Sequence, residues 1–423
     1  MRRITKKVLI FLLGVLFTAF YCEHIIYYVV AYQCSWPVLE EPQSETHLKA
    51  FILADTHLLG PRKGHWLDKW RREWQMHQAF QSIMFMHKPD VVFVLGDLFD
   101  EGEWSTDRQF VEYVDRFHQL FPVPSDTPMH VVAGNHDIGF HNYIRPSFAQ
   151  RFSKLLNSSL VQFISLKENH FVLINSMAME GDSCNLCTKA RNDILKIAGI
   201  LKCAENSKFC YDGILKVNYS RPILMQHFPL YRVSDEVCTE PDAPPLPERK
   251  KPFRLKIDAL SKQATEYLAS KIKPKVVFGG HTHHGCLVHH VYEKPTTFDF
   301  YEYSVPSFSR RNRADPKYML VTFTPSDYSV HKCELPKETT IVITSVLMLF
   351  LSTACLWRCL CRLAVDSVCA EVVLRAGYKA SVLSNCSLLC GLCVWVEFQP
   401  DQHANVRSML ASSRLHLKSS DYT

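Results

Sequence analysis

Phe51-Ile-Leu-Ala54 followed by Asp55-Thr56-His57 decides the reading of this chain: a short apolar run ends in two side chains able to bind a metal. The same design recurs four more times. Val91-Val-Phe-Val-Leu95 leads into Gly96-Asp97-Leu-Phe-Asp100, and Val131-Val-Ala133 into Gly134-Asn135-His136-Asp137. Ile223-Leu-Met225 precedes Gln226-His227, and Val276-Val-Phe278 precedes Gly279-Gly280-His281-Thr282-His283. Runs of this length, rich in β-branched residues, predict buried strands. Chemistry at the carboxyl ends of such strands is the general layout of open α/β sheets. Hard divalent ions take carboxylate oxygen and imidazole nitrogen, and this set offers Asp, Asn and His with no thiolate. One D-x-H or H-x-H carries little weight; five motifs in fixed order, each after a strand-like run, make a site.

Between the motifs the period changes to that of helices. Trp66, Trp70, Trp74, Phe80 and Met84 recur at helical spacing, a stripe expected to pack into the core. Phe110, Val114, Phe117 and Phe121 repeat the pattern after the helix-start residues Ser105, Thr106 and Asp107. Alternating strand and helix predicts parallel βαβ units. After His283 come four consecutive strand-like runs, 287–292, 298–305, 318–323 and 328–330, expected to form a second, more antiparallel sheet. The prediction is a four-layer αββα sandwich with the metals at one edge. Residues 180–220 and the Pro-rich stretch 234–252 read as insertions. The latter either borders the active site or is a plain surface loop.

These five blocks resemble those of the calcineurin-like metallophosphoesterase superfamily, over about residues 48–333. The resemblance implies two divalent ions, manganese among the candidates, that clamp a phosphate and acidify a shared water. It implies that Asp55, His57 and His283 hold one ion, that Asn135, His227 and His281 hold the other, and that Asp97 bridges them. His136 would protonate the leaving group and Asp100 would orient it. Asp137 is left as a supporting residue or a turn former.

The ends of the chain speak about compartment. Arg2, Arg3, Lys6 and Lys7 precede an apolar stretch that runs to residue 32, long enough for a signal anchor with a cytosolic N-terminus. Residues 339–357 form a second uncharged stretch, followed by Arg358 and Arg362. The expected organisation is thus a span within 1–32, a luminal catalytic domain over 33–338, a span over 339–357 and a cytosolic tail over 358–423. Within the tail, 381–398 is either a third span, a lipid-modified interfacial segment or neither. Eight of the 16 cysteines fall in the luminal segment, an even number that predicts disulfides. Asn157-Ser-Ser159 and Asn218-Tyr-Ser220 are sequons that a luminal domain would expose to glycosylation.

Composition excludes a few classes. The formal net charge of +6 over 423 residues is dispersed and makes no nucleic-acid footprint. The cluster Arg310-Arg311-Asn312-Arg313 faces either the substrate phosphate or, as the preferred reading, solvent. Gln226-His227-Phe-Pro-Leu-Tyr-Arg232, Val305-Pro-Ser-Phe-Ser309 and the two terminal spans resemble the branch of the superfamily that remodels GPI anchors. That resemblance implies removal of an ethanolamine-phosphate side branch from the second mannose of GPI-anchored proteins. It also implies contact with cargo receptors of export, and residence at endoplasmic reticulum exit sites, the intermediate compartment and the cis-Golgi. The chain ends Leu417-Lys-Ser-Ser-Asp-Tyr-Thr423 without the basic retrieval signal expected of that branch. Two other readings compete: a luminal metallophosphoesterase for sphingolipid or nucleotide esters, and a non-catalytic receptor for GPI cargo.

Overall fold

The computed structural model describes residues 2–39, 47–141, 144–181, 184–293 and 297–376; the run 381–398 lies outside them. Two compact units emerge, one spanning Glu23–Thr340 and a smaller one made of residues before Glu23 and after Thr340. Helix α1 (Arg2–Phe20) continues through a π-helical turn, Tyr21–Ile25, into α2 (Ile26–Tyr32). Strand β1 (Leu48–Leu53), α3 (Trp66–His87), β2 (Val91–Leu95), α4 (Asp107–Leu120) and β3 (Met129–Val132) follow as βαβ units. A one-turn helix α5 (Asn135–Ile138) and α6 (Pro146–Leu156) lead to a hairpin of β4 (Val161–Leu166) and β5 (Asn169–Ile174). Next come α7 (Asn185–Glu205), β6 (Ile223–Met225), α8 (Leu246–Arg249), α9 (Lys262–Ile272) and β7 (Val276–Gly279). Strands β8 (Cys286–Tyr292), β9 (Phe298–Ser304), β10 (Lys317–Phe323) and β11 (Tyr328–Glu334) precede α10 (Glu338–Ala376).

The strands form two sheets, ordered β11-β10-β1-β2-β3 and β4-β5-β6-β7-β9-β8. In the first, β1–β2–β3 are parallel and the β10–β11 side is antiparallel; in the second, a parallel centre β5–β6–β7–β9 has an antiparallel strand at each edge. This corrects the expectation that the four strands after His283 form a sheet of their own. Two of them extend the second sheet and two return to pair with β1, because β10 finds its partner edge at Leu48–Ile52. The period of two decides which residues meet between the sheets. Ala50, Ile52, Phe93 and Leu95 of the first face Phe171, Met225 and Phe278 of the second in one buried cluster. The rings of Phe93 and Phe171 lie 4.8 Å apart across that layer. On the outer face of the first sheet, Phe51 packs 5.5 Å from Phe80 of α3. Helices α7 and α9 bury Ile194, Leu201, Leu268 and Ile272 in the second outer layer. The result is the predicted helix–sheet–sheet–helix sandwich.

One further expectation changes. Phe80 and Met84 are buried as predicted, but Trp66 and Trp70 of the same stripe are 70% and 58% exposed. Helix α3 overhangs the first sheet, so its opening turns meet no core. Residues 180–220, read as an insertion, contain helix α7. The stretch 234–252 is a loop with a one-turn helix, held down by Cys238–Cys286. The other cysteines of residues 33–338 pair as Cys34–Cys333, Cys184–Cys187 and Cys203–Cys210. Residues 8–32 and 338–358 are helical, and by length and composition each can cross a membrane.

Candidate active site

All five motifs sit where a strand ends, and their loops are stitched to one another. Asp55 N donates to the carbonyl of Gly96 at 3.1 Å and His57 N to that of Asp97 at 2.9 Å, locking the exits of β1 and β2 together. Gly280 N donates to the carbonyl of His227, which joins the exits of β6 and β7. Asp55, His57, Asp97, His281 and His283 all have φ between 44° and 72°, a region that side chains rarely occupy. Backbone strain of this kind gathers at functional sites because the surrounding structure must enforce it. Here it aims five donors at one volume.

Two groups of donor atoms result. Asp55, His57, Asp97 and His283 form one, and Asp97, His227 and His281 the other, each with donor atoms within 4.8 Å of one another. Asp97 belongs to both. Its Oδ2 lies 3.4 Å from Nε2 of His57 and 3.3 Å from Nε2 of His227. Asn135 joins the second group with Oδ1 3.2 Å from that same His227 nitrogen. All seven residues expected as ligands therefore converge.

The far side of each ring is tied down, as metal-bound imidazoles require. Nδ1 of His227 donates to the carbonyl of Leu95 at 2.8 Å, leaving Nε2 as a lone pair toward Asp97. Nε2 of His281 donates to the carbonyl of Ile257 at 2.8 Å, and its Nδ1 is buried with no hydrogen-bond partner among the described residues. A buried lone pair without a donor is costly unless something electropositive meets it. Burial, followed by the nearby His227, pushes His281 down to about 3, so the ring stays neutral and ready to ligate. Carboxylates are crowded as well: burial raises Asp55 well above the ordinary range and lifts Asp137 to about 7. Burial also raises Asp97, but the adjacent His227 and His57 outweigh it and hold Asp97 well below that range. Oxygen-rich and imidazole-rich, with ring tautomers fixed and an orphan nitrogen, the donor set suits divalent cations.

Glycines make the approach possible. A Cβ on Gly134 would collide with Asp97, and one on Gly96, where φ is +84°, would collide with His227. Asp137 has a clear place: it accepts from Gly134 N at 2.8 Å and Phe99 N at 3.0 Å, fastening the second motif to the third.

His136 stands at the mouth, its side chain 30% exposed, with its amide donating to Asp97 Oδ1 at 2.8 Å. Its Nδ1 faces the main-chain carbonyl of Asp100 at 3.1 Å. Here the structure departs from expectation. The Asp100 carboxylate hydrogen-bonds Nδ1 of His57 at 3.1 Å and lies 3.6 Å from His136. His57 lies deeper, nearer the carboxylate, and takes the bond. Arg311 meets the other carboxylate oxygen at 3.0 Å, and Lys63 approaches it at 3.4 Å. The basic cluster is therefore turned inward, against the preferred solvent reading. Arg313 is buried and donates to the carbonyl of His283, and Asn312 bonds Ser307, whose hydroxyl donates to the carbonyl of Asp55. Arg311 was visible in the sequence as part of a basic run; Lys63 had no motif to mark it. Beside the Ile138–Gly139 turn lies a groove of about 740 Å³ walled by Arg62, Glu103, Trp104, Arg145 and Phe148.

Residues 48–285 match the model of the calcineurin-like phosphoesterase family. The chain belongs to this family. It is accordingly a metallophosphoesterase, a hydrolase of phosphoric esters that uses divalent metal ions. It is 46% identical over 327 residues to Metallophosphoesterase 1 homolog of Drosophila melanogaster, covering 77% of this chain and 86% of that one. To Metallophosphoesterase 1 of Danio rerio it is 43% identical over 327 residues, 76% of this chain and 84% of the other. To that of Xenopus laevis it is 42% identical over 368 residues, 82% and 89%.

Proposed function

We infer that this phosphoesterase is a luminal phosphodiesterase of the early secretory pathway that removes the ethanolamine-phosphate side branch from the second mannose of GPI anchors. Exported GPI-anchored proteins and their cargo receptors are the partners that reading implies. The observation that carries the catalytic part is the shared Asp97 between two converging donor groups. The similarity to proteins named Metallophosphoesterase 1 supports the substrate part. Four disulfides and two terminal apolar helices favour a catalytic unit in an oxidising lumen.

Asp55, His57 and His283 would hold one ion and Asn135, His227 and His281 the other, with Asp97 shared. Bound there, the two ions, manganese by resemblance, supply Lewis-acid charge toward the phosphate oxygens and an acidified water. The rest falls to side chains of this chain. Because Nδ1 of His136 faces a carbonyl, it must carry a hydrogen, so Nε2 is the nitrogen that gives a proton to the substrate. As a water oxygen bonds to phosphorus, that water gives one proton up to solvent, the P–O bond to the sugar breaks, and the departing oxygen takes the proton carried on Nε2. Asp100, clamped by Arg311, fixes the tautomer of His57 and leaves its Nε2 free to ligate. The groove with Trp104 and Phe148 has room and aromatic faces for a saccharide.

Mass spectrometry of GPI glycans from cells lacking the protein tests this. Ethanolamine phosphate should persist on the second mannose and disappear when the wild-type chain, but not Asp97→Asn, is restored. An unchanged glycan profile overturns the substrate assignment.

A further inference from the structure

The exposed opening of α3 has a physical use that its place in the fold identifies. Trp66, Leu67 and Trp70 are 70%, 50% and 58% exposed, a cost in water for three large apolar side chains on two helical turns. The same helix packs against the end of the first apolar stretch, and contacts between the two run in one direction. Glu23 accepts from Nε1 of Trp74 and pairs with Arg71, and His24 meets the Trp74 ring edge-on at 5.2 Å. Further along, Tyr28 meets Phe85, and the carbonyl of Ala31 faces Nε2 of His87 at 3.2 Å. Residues 23–32 and α3 therefore run in the same sense, and the part of α3 before Trp74 lies toward the Glu23 end of that pair.

Heights follow from helical rise. A hydrocarbon core about 30 Å thick takes roughly 20 residues, so a span starting at Val8 leaves the core near residues 27–28. Glu23 and His24 sit within about a turn and a half of that boundary. Trp74 lies level with them, and Trp70 and Trp66 precede it by about one and two turns on α3. Tryptophan is the side chain that favours this zone, with an apolar ring and one N–H for the headgroup level.

We propose that the first two turns of α3 insert into the luminal leaflet of the membrane, so that the active site works on phosphoesters carried by lipid-anchored molecules at the bilayer surface. The inference rests on reading Val8–Tyr32 as a span. The path from helix to site is short: eight residues separate His57 from Trp66. That connection is pinned where Arg62 N and Lys63 N donate to the carboxylate of Glu101, at 3.1 and 2.7 Å. A leaflet that holds α3 thus holds the mouth of the site at its surface, which lowers the search for a membrane-bound substrate from three dimensions to two.

The test uses the full chain in phosphatidylcholine vesicles containing lipids brominated at shallow acyl positions. The emission difference between wild type and Trp66→Phe/Trp70→Phe should be quenched by bromine and shielded from aqueous iodide. The reverse pattern overturns the insertion. Trp357, in the second apolar helix, reports separately through Trp357→Phe. If its emission is unquenched the chain is not in the bilayer, and the span reading fails together with the inference. If Trp357 is quenched while Trp66 and Trp70 are not, only the insertion fails. As a functional arm, Trp66→Ser/Leu67→Ser/Trp70→Ser should cut turnover of a vesicle-embedded phosphodiester by about tenfold. It should leave a water-soluble aryl phosphodiester untouched. Equal loss on both substrates, or loss on neither, also overturns the proposal.

Discussion

The carboxylate of Asp100 is spent on His57, not on His136: Oδ1 lies 3.1 Å from Nδ1 of the first and 3.6 Å from Nδ1 of the second. Asp100→Asn should therefore act first on metal binding. An amide can offer its NH₂ to Nδ1 and flip the His57 tautomer, placing a hydrogen where a lone pair is needed. The expected cost is about 10–100-fold in metal affinity, the usual range for such outer partners. Activity titrated against manganese would show it: the variant should recover most of its rate at high metal. A rate deficit that no metal concentration repairs would return Asp100 to the sole role of orienting the proton donor.

Gly96 and Gly134 allow the backbone to pass within contact of His227 and Asp97, where any Cβ would intrude. Gly96→Ala adds a side chain at φ +84° as well. Both effects push in one direction, and the variant should lose divalent binding while keeping its secondary structure. Isothermal titration beside a circular dichroism spectrum would separate the two. Normal affinity in Gly96→Ala would mean that the strand ends are softer than their hydrogen bonds imply.

The sequence announced the site far better than the frame around it. Each ligand sits at the end of an apolar run, and an order of five such runs is legible because strand and ligand are neighbours in the chain. What escaped were pairings made at a distance. Nothing local in Lys317–Phe323 says that it will return to lie beside Leu48–Ile52 rather than beside β9. Trp66 and Trp70 carry the same spacing as Phe80 and Met84, and period alone cannot say where a helix runs past the edge of its sheet. Arg311 and Lys63 reach Asp100 from loops, where no periodicity exists to read.

A second buried charge cluster lies beneath the Phe228–Arg232 loop. Glu302 accepts from Leu230 N at 2.7 Å and from His290 Nε2 at 2.9 Å, with Arg232 at 3.9 Å. Burial raises its carboxyl, but the bond and charge of His290 and the charge of Arg232 outweigh it and hold it below the ordinary glutamate range. A depressed folded value contributes stability that is present above the unfolded value, about 4.3, and is lost as pH falls through the folded one. Glu302→Gln leaves His290 without its buried counter-charge, while Arg232 keeps Asp235 at 2.8 Å, and should cost about 3 kcal/mol near neutrality. The gap in thermal midpoint between wild type and variant should narrow as pH drops below about 4. A gap independent of pH would mean that the residue acts by shape and hydrogen bonding alone.

Orientation across the membrane has its own test. Cys34–Cys333 ties together the two ends of the segment between the apolar helices, and Asn157 and Asn218 are exposed sequon residues within it. Protease added to intact microsomes should spare residues between the two spans, and any glycan should be found at these two positions. Digestion of the catalytic unit in sealed vesicles would reverse the topology.

His136 lies outside both groups that share Asp97, with its side chain 30% exposed and its Nδ1 tied to the main-chain carbonyl of Asp100. If its Nε2 gives up the proton, His136→Ala should slow an alkyl phosphodiester by roughly 10²–10⁴-fold, the usual contribution of a general acid. Metal content should remain near that of the wild type, since the side chain belongs to neither shared Asp97 group. A nitrophenyl ester departs as a weakly basic anion and gains little from a donated proton, so its hydrolysis should suffer much less. The contrast between the two leaving groups is the decisive reading, because a structural role would slow both alike. Should His136→Ala empty a metal site, its main-chain bond to Asp97 Oδ1 at 2.8 Å would be the place to look, for that bond positions the shared carboxylate.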